Sequence, residues 1–75
     1  MTLKEAIRIM KEQVKDEYAL GYIVALDGAI EEDGMKGLVA QVRYIRENIR
    51  YWRGGKSKEV RAFLDGWLRD KKEVA

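Results

Sequence analysis

The chain has no cysteine, no histidine and no proline. Without cysteine there is no disulfide framework, no thiolate nucleophile and no iron–sulfur ligation, and the absence of histidine as well removes the usual zinc sites. It also removes imidazole, the commonest general base near neutral pH. Hydroxyls are scarce: apart from four tyrosines, only Thr2 and Ser57 carry one, and both are better placed as helix caps than as nucleophiles. Carboxylate bundles that hold di-iron take a Glu-x-x-His pair from two helices, which this chain cannot form. The inventory therefore predicts a protein that is not an enzyme and that needs no cofactor and no metal.

Length sets a second limit. With 75 residues the chain has room for one domain, 1–75, and a thin core. A core of that size rarely supplies more than about 3–5 kcal/mol, so small domains add disulfides, a metal or a partner chain. The first two are excluded, which leads to the expectation of a homo-oligomer, with a dimer favoured. Hydrophobic residues make up 47% and charged residues 37%, too apolar for disorder and too charged for a membrane protein. The longest weakly charged stretch, Tyr18 to Ile30, contains Asp27 and falls short of the roughly 20 residues that span a bilayer. From Lys4 to Glu17 charges alternate with apolar residues, unlike a signal peptide, so a cytoplasmic location is expected. One Asn and two Gln set against abundant Glu, Lys and Arg match the balance of thermophile proteins.

Strong chain punctuation is limited to Asp33-Gly34 and Gly54-Gly55, and the apolar periodicity between them is helical. Thr2 and Glu5 have the spacing of a capping box. Leu3, Ile7, Met10 and Val14 then repeat at steps of four and three, and the apolar run Ala19 to Leu26 points in every direction, so this half should be enclosed on several sides. Gly21, Ala25 and Ala29 form a small-residue strip that permits close helix approach. The spacing predicts one helix over about 3–32, closed by Gly34 in a left-handed cap. Met35, Leu38, Val42, Ile45, Ile49 and Trp52 predict a second helix over about 35–53 with a coiled-coil-like seam. Val60, Phe63, Leu64, Trp67 and Leu68 predict a third over about 58–71, capped by Ser57, with 71–75 fraying. The fold class is therefore all-α: an antiparallel hairpin with a third helix packed across it. A first helix of about 30 residues would run roughly 45 Å, against about 28 Å for the second, and the overhang again calls for a partner.

Apparent ligand motifs fail on inspection. Asp27 and Glu31 are spaced to share a magnesium ion, but acidic pairs near a turn are more often solvated or capping. A calcium loop with Gly34 in its sixth position would put Ala29 and Ala40 where oxygen ligands are required. Gly55-Lys56-Ser57 resembles the end of a phosphate-binding P-loop, but Arg50 stands where the first glycine should be and no strand precedes it. A helix-breaking turn followed by a cap explains those residues.

Charge is unevenly spread. Residues 1–42 hold five basic and eight acidic side chains, whereas 43–61 hold seven basic and two acidic. Arg43, Arg46, Arg50 and Arg53 fall within about 80° of one another at 100° per residue, beside the seam, and Lys56, Lys58 and Arg61 continue the stripe. One reading has the stripe bind nucleic-acid phosphates; the favoured one has the arginine heads pair with the acidic face of the first helix or of a partner subunit. Tyr44, Tyr51, Trp52 and Trp67 are the candidate oligomer interface. The expected function is a small helical protein–protein interaction or adaptor module that self-associates, with a nucleic-acid-binding accessory protein as the alternative. A membrane-surface role for the first helix is disfavoured by Glu12, Asp16 and Glu17.

Overall fold

In the computed structural model of the chain, backbone is described for residues 1–32 and 34–74, and side chains for 1–28 and 37–71. The described residues form α1 (Leu3–Gln13), α2 (Glu17–Glu32), α3 (Gly34–Asn48) and α4 (Ser57–Val74), with no strand among them. The all-α class read from periodicity is what the chain adopts. No helix among the described residues is long and apolar enough to cross a membrane.

The continuous first helix expected over 3–32 is replaced by two helices. The chain passes unbroken through Gly21 and Gly28 and breaks instead at Val14, whose ψ of 127° is extended. Asp16 starts the next helix: its carboxylate accepts the Tyr18 N–H at 2.9 Å and its carbonyl accepts the Leu20 N–H at 2.9 Å. An aspartate at an N-cap, followed by Glu17 at the positive end of the helix dipole, favours a fresh start over continuation. The break removes the 45 Å overhang, so that reason for a partner subunit disappears.

At the N-terminus Thr2 accepts the Glu5 N–H at 3.1 Å, as its spacing predicts. Gly34 is the first residue of α3, not a left-handed cap, and Asp33 lies outside the described residues. The second predicted helix ends at Asn48, short of Arg53; its last turn is followed by a bend in which the Trp52 N–H reaches Ile49 O at 3.0 Å. Ser57 is not the cap of α4. Lys56 holds that place, its carbonyl accepting the Val60 N–H at 3.0 Å, and Ser57 is the first helical residue. The helix continues to Val74, beyond the limit of 71 that the pattern predicts.

Each helix packs on its neighbours in a ring: α2 on α3, α1 on α2, α3 on α4 and α1 on α4. Because only Asp33 separates α2 from α3, Tyr22 meets Tyr44 and the two helices run antiparallel. Ile7, Met10, Ile23, Leu26, Val42, Ile45, Ile49, Val60 and Leu64 are the large side chains fully buried between the four. The seam positions Leu38, Val42, Ile45 and Ile49 all face this core, whereas the Met35 side chain lies outside the described residues. Ala6 and Ile9, which the four-three spacing of α1 passes over, are buried as well, because α1 is covered by both α2 and α4.

The α3–α4 connection is tied to α1 by one side chain. Gln13 Oε1 accepts the Lys56 N–H at 2.9 Å, while Gly54 and Gly55 take φ of 84° and 51°. A Cβ on Gly55 would stand 2.2 Å from Gln13 Oε1. Gly55→Ala is thus expected to destabilise the fold both through its left-handed φ, about 1–2 kcal/mol, and through that clash. Gln13→Ala removes the clash and one hydrogen bond, about 1 kcal/mol. In urea melts the double variant should lose less than the two single losses combined; strict additivity would show that the Gln13 contact does not constrain the turn.

Candidate interaction surfaces

Most of the arginine stripe is engaged within the fold. Arg46 makes a two-pronged pair with Asp65 on α4, at 2.7 and 3.2 Å. Arg50 pairs with Glu47 one turn back at 2.7 Å and lies 4.8 Å from the centre of the Tyr51 ring. Arg53 donates through Nη1 to the carbonyls of Arg50 and Trp52, at 3.1 and 3.3 Å, and Arg61 donates through Nη1 to Trp52 O as well. These two guanidiniums satisfy carbonyls in the bend that follows α3. The acidic partner of the stripe is therefore Asp65 of α4, together with Glu47 of α3 itself, not the face of the first helix. Among the described residues, Arg43 has no ion-pair partner, and the side chains of Lys56 and Lys58 have none either.

The candidate interface residues separate into two groups. Trp52 and Trp67 pack against the core. Tyr51 is 73% exposed at the bend after α3, and Tyr44 is 53% exposed. Tyr44 also belongs to an aromatic ladder: its ring stacks on Tyr22 with centroids 4.6 Å apart, and Tyr22 meets the edge of Tyr18 at 5.4 Å. Tyr18 and Tyr22 were not singled out from the sequence, although their i, i+4 spacing was the available signal. The Tyr18 and Tyr44 side chains, in that order, hold the Tyr22 phenol well above the ordinary tyrosine range, with desolvation adding to the shift.

Beside this ladder lies an apolar recess lined by Tyr22, Ala25, Ala40, Gln41 and Tyr44. Gln41 Oε1 is buried without a hydrogen-bond partner. The outward side of α2 is also uncovered: Tyr18 is 64% and Val24 57% exposed, Gly21, Ala25 and Gly28 are open, and a Cβ added at Gly21 or Gly28 would meet nothing within 4 Å. The expectation that this apolar run is enclosed on several sides is not met by the chain's own helices. Asp27, the one charge between Tyr18 and Gly28, turns toward α1, where Lys11 Nζ donates to its carboxylate. It is thus engaged by a lysine, and the Glu31 side chain of the suggested magnesium pair lies outside the described residues.

The Lys11 hydrogen bond lowers the Asp27 pKa more than desolvation raises it. A carboxyl with a depressed folded pKa contributes stability above its unfolded value, about 3.9, and loses that contribution as pH falls through the folded value. Both partners are about two-fifths exposed, so the effect is small. Asp27→Asn should flatten the acid limb of a stability-against-pH curve without steepening any other part. An unchanged acid limb would mean that the pair does not stabilise the α1–α2 packing.

Compared with known proteins, the chain matches no family model, no curated protein and no solved structure.

Proposed function

We propose that the protein is a small non-catalytic interaction module that docks a second copy of itself through the outward face of α2. The uncovered face carries this reading. Water-facing helices of small domains normally show charge there, whereas α2 shows Tyr18, Gly21, Val24, Ala25 and Gly28. Small residues at steps of three and four let two helix backbones approach closely, and flanking aromatics supply contact area. A stable interface buries about 800 Å² per partner, roughly a sixth of the 5134 Å² accessible surface, so α2 alone is too narrow. The contact would extend over the apolar recess to Tyr44.

Nucleic-acid contact is the second reading, favoured by Arg43, Lys56 and Lys58, whose side chains carry no ion pair among the described residues. Light scattering and sedimentation over a concentration series distinguish the two. Self-association is expected for the native chain and should weaken at least tenfold in Val24→Glu, about 1.4 kcal/mol. Gly21→Ala gives a sharper test. In the free subunit it should add about 0.5–1 kcal/mol of helix stability, because nothing blocks the new methyl, while weakening association if that methyl stands in a close-packed seam. A monomer at high micromolar concentration would overturn the docking reading; salt-sensitive binding of a labelled duplex or single strand would then favour the second.

A further inference from the structure

The turn between α3 and α4 opens into a crevice of about 580 Å³ lined by Arg50, Arg53, Lys58 and Arg61 together with Gly54, Gly55 and Ser57, with no acidic residue in its wall. Ser57 is 5% exposed, and its hydroxyl makes no hydrogen bond within the described residues. Ser57 is thus a residue more than nine-tenths buried that lines the crevice with a hydroxyl no group among the described residues engages. Beside it, the backbone N–H groups of Lys58 and Glu59 belong to the first turn of an 18-residue helix and have no intrahelical carbonyl to bond. The Ser57 N–H is already engaged by Gly54 O at 3.0 Å, and the Lys56 N–H by Gln13.

The cations are held in place before any ligand arrives. Arg53 and Arg61 each use Nη1 on carbonyls of the bend after α3, which fixes their orientation and leaves the rest of their five donors available. Arg50 is steadied by Glu47 and by the Tyr51 ring. The nearby carboxylates are Glu47, on Arg50, and Glu59, in the first turn of α4; neither lines the crevice. Two free helix amides, one idle hydroxyl and guanidinium forks make a donor set suited to a tetrahedral oxyanion, which offers three or four acceptor oxygens and negative charge at the positive end of the helix dipole.

The geometry points to a phosphate-binding site in this crevice, with Ser57, Lys58 and the α4 N-terminus as its base and Arg50, Arg53 and Arg61 as its rim. The ligand is a phosphate group, either free or carried in a nucleic-acid backbone. The site shares no residue with the α2 docking face and does not depend on it.

The test is an amide-resolved NMR titration of the whole chain at low salt, with inorganic phosphate in one arm and a short single-stranded oligonucleotide in the other. Saturable shifts centred on the amides of residues 57–59 are expected in at least one arm. Ser57→Ala and Lys58→Ala should each weaken binding about tenfold with helical content unchanged, the loss of one charge-assisted hydrogen bond. Saturation with phosphate identifies a free phosphate ligand; saturation with the oligonucleotide alone identifies a phosphodiester. Absence of saturable shifts in both arms, or shifts that both variants leave unchanged, would overturn the site. Val24→Glu should bind as the native chain does, which keeps the failure of this site distinct from failure of the docking face.

Discussion

The turn from Val14 to Asp16 decides how the rest of the chain can pack. By ending α1 after eleven residues, it lets that helix lie against both α2 and α4, so four short helices close a ring around one core. Had the helix continued, the α1 segment would have extended away from the hairpin and Ile7, Met10 and Val14 would have lacked a second wall. The same turn places Gln13 against the Gly54-Gly55 connection, where its amide oxygen takes the Lys56 N–H. One aspartate cap thus sets the α1–α2 angle, and one glutamine passes that constraint on to the start of α4.

Charge in this molecule is used mainly as structure. The arginine stripe closes the α3–α4 packing through Asp65 and braces the bend after α3 through Arg53 and Arg61. Arginine suits this work because its planar fork bonds two acceptors at once and its stem covers apolar surface. Engagement in the fold does not remove the positive potential. It concentrates fixed guanidiniums around the α4 N-terminus, where the helix dipole has the same sign.

Periodicity made the all-α class legible, along with the core faces of α3 and α4, because Leu38 to Ile49 and Val60 to Leu64 follow a helical step without interruption. The break between α1 and α2 is not legible in the sequence for a physical reason. Val14, Lys15 and Asp16 contain neither glycine nor proline, and the new start comes from the Asp16 carboxylate bonding the N–H two residues on, which leaves no glycine or proline mark in the sequence. Ser57 sits one residue past the cap because a lysine occupies that place and a remote glutamine supplies the acceptor; no local pattern encodes a bond across 43 positions. The candidate residues were only partly legible. The stripe and Tyr44 were visible in the spacing, whereas the ladder with Tyr22 and the idle hydroxyl of Ser57 exist only once the helices have been placed.

The two proposed surfaces sit on different elements, and that separation has a consequence. A contact through α2 leaves the α3–α4 turn uncovered in each subunit, so an associated pair would present two phosphate crevices on one body. A ligand carrying several phosphates could then engage both, and the second engagement would be intramolecular, with an effective concentration set by the spacing of the crevices. Weak binding at a single crevice is compatible with useful avidity in the pair. On a chain this small, an apolar seam and a ring of cations are more economically combined by duplication than by adding a second domain.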